Sequence, residues 1–156
     1  MKALVVTVST RAASGVYQDR GGPVACDGLR EIGLEVDGPQ VVADGDPVES
    51  ALRAAASAGY DVVVTTGGTG LTPRDLTPEM TRRVVEREVP GLAEAIRSYG
   101  AGKGVPTAVL SRGIVGLTGS TIIVNLPGSP GGVRDGISVL GPVLTHAVEQ
   151  AHGGDH

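Results

Sequence analysis

Short apolar runs alternate along the chain with longer stretches in which apolar residues recur at helical spacing. Residues 3–9 are rich in Val and predict a buried strand, and residues 24–32 predict an amphipathic helix that ends at Gly33. Residues 34–43 predict a second strand. Residues 61–66 form the clearest apolar run and predict a third buried strand. A polar loop is expected between the first strand and the first helix.

A capping residue followed by proline predicts the start of two further helices. Asp46, Pro47 and Glu49 form a capping-box pattern with proline at the first helical position. Residues 77–79, Thr-Pro-Glu, repeat this start, and the helix they open is expected to run to about Glu88. The sequence therefore predicts a helix after each of the second and third strands.

The C-terminal half continues with a helix to about residue 98 and a flexible segment over residues 100–104. Two short apolar runs at residues 113–117 and 121–125 predict a β-hairpin, because a Thr-Gly-Ser turn separates them. The turn that follows leads into the last helices, which are expected to end near Ala151.

Regular alternation of strands and helices predicts an α/β fold, with a mostly parallel sheet and helices on both faces. Residues 1–151 are expected to form one domain and residues 152–156 a disordered tail. Ligands of such sheets bind beyond the carboxyl ends of the strands. The loops expected there follow Ser9, Ala43, Thr66 and Asn125.

Composition narrows the classes of function. The 156 residues include three Tyr but no Phe or Trp, so Val, Leu, Ile and Ala must form the core. A net charge of −4 and the lack of aromatic stacking residues argue against nucleic-acid binding. A single Cys26 cannot form an internal disulfide, and no apolar run approaches the ~20 residues of a membrane span. A cytoplasmic protein is expected.

The glycine-rich segment after the third strand is the first candidate for chemistry. Residues 65–70 read Thr-Thr-Gly-Gly-Thr-Gly, so several backbone N–H groups and hydroxyls can converge on a phosphate or a polar heterocycle. The segment lacks the Gly-Lys-Ser/Thr of a Walker A loop and the third glycine of a dinucleotide fingerprint. A tight turn that binds no ligand is the alternative.

Two aspartates are expected at the same edge of the sheet. Asp44 follows the second strand, and Asp75 lies in Thr-Pro-Arg-Asp just beyond the glycine-rich segment. Carboxylates hold Mg²⁺ together with substrate phosphates, and Arg74 can steady the phosphates. Each aspartate can equally be a turn or loop residue, and Asp46 is assigned to the helix cap.

Residues 125–130, Asn-Leu-Pro-Gly-Ser-Pro, place a rigid turn before a helix and can form an anion site from main-chain donors. A well-made turn and cap is the alternative. Arg112, in Ser111-Arg112, either contacts phosphate or lies on the solvated surface. No Gly-x-Ser-x-Gly elbow occurs, and the three histidines lack metal-ligand spacing. The residues indicate a phosphate-rich ligand and a divalent cation without a protein nucleophile.

Five motifs in order resemble the MogA/MoaB family of molybdenum-cofactor proteins and the related G domains of plants and animals. The motifs are Ser9–Asp19, Thr65–Gly70, Arg74–Pro78, Leu110–Arg112 and Asn125–Pro130. Each motif is weak alone, but the resemblance extends from Lys2 to about Ala151. It implies a three-layer α/β domain that assembles as a trimer, or as a hexamer in some members.

The resemblance also implies an activity. MogA-like members use ATP and Mg²⁺ to adenylylate molybdopterin with release of pyrophosphate, and the molybdenum insertase is the implied partner. Asp44 and Asp75 resemble the two aspartates that the family needs for catalysis and metal binding. The expected pterin and nucleotide contacts are Thr66, Gly67, Gly68, Thr69, Gly70, Arg74, Ser111, Arg112, Asn125, Pro127, Gly128 and Ser129.

Three other functions stay open within the resemblance. A MoaB-like protein would bind molybdopterin with little or no adenylyl transfer, and a scaffold would only deliver the cofactor. The insertase shares this domain but carries further domains, which are not expected here. Residues 14–19, Ser-Gly-Val-Tyr-Gln-Asp, resemble MogA sequences and favour the enzyme.

Overall fold

The computed structural model describes residues 1–155 and shows an α/β domain built on one six-stranded sheet with strand order β2-β1-β3-β6-β5-β4. The strands are β1 (Lys2–Val8), β2 (Glu35–Val42), β3 (Val62–Thr66), β4 (Arg87–Glu88), β5 (Val115–Thr118) and β6 (Thr121–Leu126). The helices are α1 (Thr10–Ala13), α2 (Gly21–Ile32), α3 (Asp46–Ser57), α4 (Thr77–Arg82), α5 (Pro90–Gly102), α6 (Pro130–Leu140) and α7 (Leu144–Ala151), with a 3-10 helix at Pro106–Leu110.

The centre of the sheet is buried on both faces, which explains the unbroken apolar runs of β1 and β3. Val64 packs in a cluster with residues of α2, α5, α6 and α7. Its neighbour Val63 points to the opposite face and packs with residues of α3 and α4. Helices therefore cover both faces of the sheet, and the predicted three-layer architecture is confirmed.

Strands β1, β2, β3 and β6 run parallel, while β5 and β4 continue the sheet antiparallel. The predicted hairpin of β5 and β6 is confirmed, with Thr118 paired to Thr121. The chain places β2 on one side of β1 and β3 on the other. The strand order thus reverses between β1 and β3, where ligands of α/β sheets bind.

The starts of two helices differ from prediction. Gly45, with φ of 93°, is the N-cap of α3, whereas the Asp46 side chain is 91% exposed and lies 3.5 Å from Arg83. The assignment of Asp46 as the cap was wrong. Leu76 is the N-cap of α4, so Thr77 lies inside the helix and its hydroxyl donates to the carbonyl of Gly67 at 3.0 Å. In the second case a tertiary contact replaces the local cap.

The region after α4 is also different. The helix ends at Arg82 instead of near Glu88, because residues 86–89 pair with β5. The N–H groups of Glu86 and Val89 each donate over 2.7 Å to carbonyls of that strand. Helix α5 runs to Gly102, four residues past its expected end, and takes in part of the predicted flexible segment. The expected polar loop after β1 contains the short helix α1, capped by Ser9.

The segment after α7 makes contacts with the start of β3. A ring nitrogen of His152 lies 2.7 Å from a carboxylate oxygen of Asp61, and Gly153 and Gly154 hydrogen-bond to carbonyls of α7. These residues belong to the segment 152–156 that was predicted to be a disordered tail, and His156 lies outside the described residues. Within residues 1–155, no helix has the length and apolar character needed to cross a membrane.

Asp61 is expected to stabilise the domain in a pH-dependent way. Partial burial raises the pKa of this carboxyl, but hydrogen bonds from the Lys2 N–H and from His152 outweigh it and lower the pKa below the ordinary 3.8. The stabilisation is therefore complete above pH 3.8 and is lost as the pH falls through the folded-state pKa. Asp61→Asn should lower the free energy of unfolding by about 1.5 kcal/mol at neutral pH.

Urea unfolding of Asp61→Asn and the wild type, at neutral pH and at about pH 2.5, measures this effect. Asp27→Asn is the control, because that side chain is 75% exposed. A difference between Asp61→Asn and wild type that is equally large at both pH values would contradict the assignment.

Candidate functional site

A cavity of about 640 Å³ opens at the carboxyl edge of the parallel strands. The loops after β3 and β6 form one side, and α5 with the 3-10 helix forms the other. The residues that line it are Gly67, Gly68, Thr69, Gly70, Asp75, Ile96, Arg97, Gly100, Lys103, Val105, Thr107, Ala108, Leu110, Ser111, Pro127, Gly128, Ser129, Gly131, Gly132 and Asp135. Apart from four charged residues, the lining consists of glycines, residues with hydroxyl groups and aliphatic residues.

The glycine-rich loop, residues 67–70, requires glycine for two reasons. Gly67 and Gly68 have φ of 93° and 68°, which residues other than glycine rarely adopt. A Cβ on Gly67 would also clash with the carbonyl of Val8, and one on Gly68 would clash with the hydroxyl of Thr77. The loop is thus pressed between β1 and α4.

Every carbonyl of the glycine-rich loop is held by a protein donor. Gly67 O accepts from the Thr77 hydroxyl at 3.0 Å and Gly68 O from the Thr77 N–H at 3.1 Å. Thr69 O accepts from the N–H of Arg112 at 2.8 Å, and Gly70 O from its Nε at 2.9 Å. The conformation of the loop is therefore fixed on its carbonyl side.

Three of the four N–H groups of the loop are free in the described structure, and the fourth, that of Gly67, donates to the carbonyl of Leu126 at 3.0 Å. The C=O and the following N–H of a trans peptide point in opposite directions, so anchored carbonyls turn the next N–H groups away from their anchors. The N–H groups of Gly68, Thr69 and Gly70 have no acceptor among the residues that the structure describes. Consecutive free N–H groups on a cavity wall form an anion-binding nest.

The turn before α6 adds donors from the other side. Ser129 caps α6 and accepts from the Gly132 N–H at 3.1 Å. A Cβ on Gly128 would lie 3.3 Å from the Cα of Gly67, so the two loops are in contact. Within the described part of the chain, the N–H groups of Gly128 and Ser129 have no protein acceptor. The positive end of the α6 dipole thus lies beside the nest.

Asp44 lies beside the nest, bound to the loop after β1. Its Oδ2 accepts from the N–H and the hydroxyl of Thr10 at 3.2 and 2.8 Å. Its Oδ1 lies 3.1 Å from where a Cβ on Gly68 would be, and no donor among the described residues reaches it. One carboxylate oxygen of Asp44 is therefore held and the other is available.

Asp75 has the same arrangement at the other end of the nest. Its Oδ2 accepts from the N–H and the hydroxyl of Thr72 at 3.0 and 2.9 Å, and Oδ1 has no donor in the described structure. A Cβ on Gly70 would lie 2.9 Å from Oδ2. The structure thus brings Asp44 and Asp75 to the same glycine-rich loop, one at Gly68 and the other at Gly70.

The donor set fits Mg²⁺ only in the presence of a ligand. Asp44 and Asp75 offer one free carboxylate oxygen each. Residues 1–155 contain no group of three or more His, Cys, Asp or Glu side chains arranged to hold a metal. Mg²⁺ is commonly held by one or two carboxylates together with substrate phosphates. These aspartates would suit such an ion when a phosphate occupies the nest.

Four residues predicted to contact the ligand do not line the cavity. Asn125 is 3% exposed, and its amide bonds to the hydroxyls of Thr65 and Thr81 at 3.0 Å. Thr66 is 1% exposed, Arg74 is exposed outside the cavity, and Arg112 is turned towards the carbonyls of the loop. Asn125 joins β6 to β3 and α4, and thereby supports the wall of the site.

The far wall of the cavity contains charged residues that sequence reasoning did not assign. Lys103 lies 3.0 Å from Asp135, and this hydrogen bond raises the pKa of the lysine. Arg97 donates to the carbonyls of Ser111 and Gly113 at 3.2 and 2.7 Å. No local motif marks these side chains, because α5 and α6 bring them together from distant parts of the sequence.

The fold and site can be compared with known proteins. The family described as "Probable molybdopterin binding domain" matches residues 4–146. Molybdopterin adenylyltransferase of Helicobacter pylori strain J99 is 37% identical over 149 residues, which cover 93% of this chain and 84% of that protein.

Two solved structures extend the comparison. A structure of MogA superposes with a TM-score of 0.94 at 56% identity, covering 97% of this chain and 99% of that one. The molybdopterin biosynthesis enzyme MoaB of Thermus thermophilus superposes with a TM-score of 0.87 at 42% identity, covering 97% and 96%.

Proposed function

The chain belongs to the family of probable molybdopterin-binding domains, and we propose that it is a molybdopterin adenylyltransferase. In the proposed reaction, AMP from ATP is joined to the terminal phosphate of molybdopterin and pyrophosphate is released. The similarity to an adenylyltransferase of Helicobacter pylori and to MogA supports this assignment over MoaB-like binding alone.

One observation carries the proposal. Gly68, Thr69 and Gly70, whose N–H groups have no acceptor in the described structure, line a cavity together with Asp75. Asp44 is not part of the cavity lining but lies next to Gly68. The N–H groups suit phosphate oxygens, and the carboxylates suit a divalent cation bound to those oxygens. An adenylyl transfer needs both features, because several phosphate charges must be held close together.

The reaction requires that the two substrates be aligned, and it does not require a nucleophile from the protein. A terminal phosphate oxygen of molybdopterin forms a bond to the α-phosphorus of ATP while the bond from that phosphorus to the β-phosphate oxygen breaks. The electron pair of the broken bond leaves with pyrophosphate. The attacking phosphate is already an anion, so no general base is needed. Holding the two reactants in line contributes to the rate through proximity and orientation.

Different residues of the chain would neutralise charge, hold the metal ion and contact the heterocycle. The nest and the N-terminus of α6 neutralise charge that develops on the transferring phosphoryl group. Asp44 and Asp75 would hold Mg²⁺ with their free oxygens. When bound, the ion supplies Lewis-acid stabilisation of the phosphate oxygens. The apolar wall, which includes Ile96, Val105 and Leu110, provides a surface for a flat heterocycle.

The deciding experiment is an adenylylation assay with purified protein, molybdopterin, ATP and Mg²⁺, with the product detected by mass. We expect adenylylated molybdopterin, and we expect a chelator to abolish its formation, because without a cation between them the two carboxylates would repel the phosphates. Readdition of Mg²⁺ should restore it. Product formed equally well in excess chelator would remove the metal from the proposal.

The same assay separates the alternative function. The 42% identity to a MoaB structure keeps a molybdopterin-binding protein without transferase activity as the second candidate. Clear molybdopterin binding without product would move the assignment to that function and leave Asp44 and Asp75 without a demonstrated role.

The proposal includes assembly and location. A homotrimer is proposed, supported by exposed apolar side chains outside the cavity lining, at Val109 and Val143, and the molybdenum insertase is the proposed recipient of the product. The free thiol of Cys26 is buried, in keeping with a proposed cytoplasmic location. Sedimentation of the purified chain measures its oligomeric state.

A further inference from the structure

Arg112 is the most heavily bonded side chain near the site, and its bonds go to protein atoms. Its Nη1 contacts both carboxylate oxygens of Glu79 at 2.7 and 2.9 Å. Its Nη2 donates to the carbonyl of Asp75 at 2.7 Å, and Nε donates to the carbonyl of Gly70 at 2.9 Å. The guanidinium therefore makes four hydrogen bonds, all on the side of the loop that carries the carbonyls.

These bonds link three separate parts of the site. Arg112 enters from the segment before β5 and reaches Gly70 in the glycine-rich loop, Asp75 beyond it and Glu79 in α4. The backbone N–H of the same residue holds Thr69 O at 2.8 Å. One residue thus sets the spacing between the nest and the carboxylate of Asp75.

Anchoring the carbonyls also orients the N–H groups. The carbonyl of Thr69 shares its peptide plane with the N–H of Gly70, and the two point in opposite directions. While Arg112 holds Thr69 O and Gly70 O, the Gly70 N–H is kept turned away from Arg112. Without these bonds the glycines would have wide conformational freedom, because glycine adopts positive and negative φ about equally well.

We propose that Arg112, held by Glu79, is a positioning residue that keeps the glycine-rich loop in its anion-binding conformation and Asp75 at a fixed distance from it. This deepens the proposed function and rests on it. It differs from the expectation that Arg112 contacts the nucleotide, since all the side-chain hydrogen bonds of Arg112 in this structure go to protein atoms. Lysine cannot replace it, because one ammonium group lacks the planar set of five donors.

The test compares Arg112→Lys and Arg112→Met with Arg82→Met. Arg82 is an exposed arginine of α4 and lies outside the lining of the 640 Å³ cavity. Arg82→Met therefore removes one positive charge, as Arg112→Met does, without touching the site. The measurements are kcat and KM for ATP, and the midpoint of thermal unfolding. A two-dimensional NMR spectrum with and without ATP follows the amide signals of Gly68, Thr69 and Gly70.

Both Arg112 variants should lower kcat/KM by about 100-fold, because a displaced loop misaligns the phosphates. Arg82→Met should match the wild type. Recovery of activity by Arg112→Lys to within about tenfold of wild type would show a direct charge contact and overturn the proposal. A lower unfolding midpoint with normal kcat and KM of the folded fraction would also overturn it.

The NMR arm separates this inference from the proposed function. A wild-type chain that makes no product but shows ATP-dependent shifts of the loop amides, lost in Arg112→Lys, would refute the transferase and support the positioning role. Loop amides that respond to ATP equally in wild type and Arg112→Lys would overturn the positioning role, whether or not the chain is active.

Discussion

Asp75→Asn should lower kcat of adenylyl transfer by about 10²- to 10³-fold, because the proposed Mg²⁺, which Asp75 would hold, would contribute several kcal/mol to the transition state. The fold should be preserved. Asp75 Oδ2 accepts hydrogen bonds from Thr72 at 3.0 and 2.9 Å, and the amide oxygen of asparagine can accept the same bonds. The variant therefore removes charge without removing the local turn.

Circular dichroism, thermal unfolding and the adenylylation assay together measure this result. Asp27→Asn is the matched control, because Asp27 lies on α2, is 75% exposed and does not line the 640 Å³ cavity. The Mg²⁺ concentration that gives half-maximal activity should rise in Asp75→Asn if any turnover remains. Wild-type kcat in Asp75→Asn would remove this residue from the catalytic site.

The second large effect is expected from Gly68→Ala. The added Cβ would clash with the hydroxyl of Thr77 and lie 3.1 Å from Asp44 Oδ1, at a φ of 68°. Such strain costs about 1–3 kcal/mol of stability. The loop must shift to relieve the strain, and a displacement of about 1 Å is enough to lower kcat/KM about 100-fold.

Gly91→Ala provides the control for this variant. Gly91 lies in the first turn of α5, and a Cβ there would meet no atom within 4 Å. That change should leave activity unaltered and should not destabilise the helix, since alanine is favoured over glycine there by about 0.5–1 kcal/mol. Gly68→Ala with wild-type kcat/KM and unfolding midpoint would show that the loop conformation is not needed.

Much of the fold could be predicted because its signals are local. Val62, Val63 and Val64 form a β-branched apolar run, which is typical of a strand buried on both faces. Gly33 ends α2 with a φ of 108°, as a C-terminal glycine does. Where the signal was misleading, tertiary contacts prevailed, as in the segment after Arg82, which pairs with β5 instead of continuing the helix.

Only part of the candidate site could be predicted, because some of its features are local in sequence and others depend on tertiary contacts. The sequence predicted that Asp44 and Asp75 lie near the glycine-rich loop, because the strands that precede these residues share one edge at their carboxyl ends. Sequence alone could not show that Asn125 turns into the core or that Arg112 is used by protein carbonyls. The sequence of a motif shows that an asparagine or arginine is present, but it does not show whether its side chain points to the ligand or to the protein.

The order of apolar runs and turn residues was sufficient to establish the α/β class, the positions of the loops at the carboxyl edge of the sheet and the family resemblance, because these depend on neighbours in the chain. The three-dimensional arrangement alone decided which donors remain free. All four carbonyls of residues 67–70 accept hydrogen bonds from Thr77 or Arg112. Neither residue belongs to the loop, and Arg112 lies more than 40 residues further along the chain. Backbone groups carry no sequence signal, so their availability to a ligand depends on packing between distant segments.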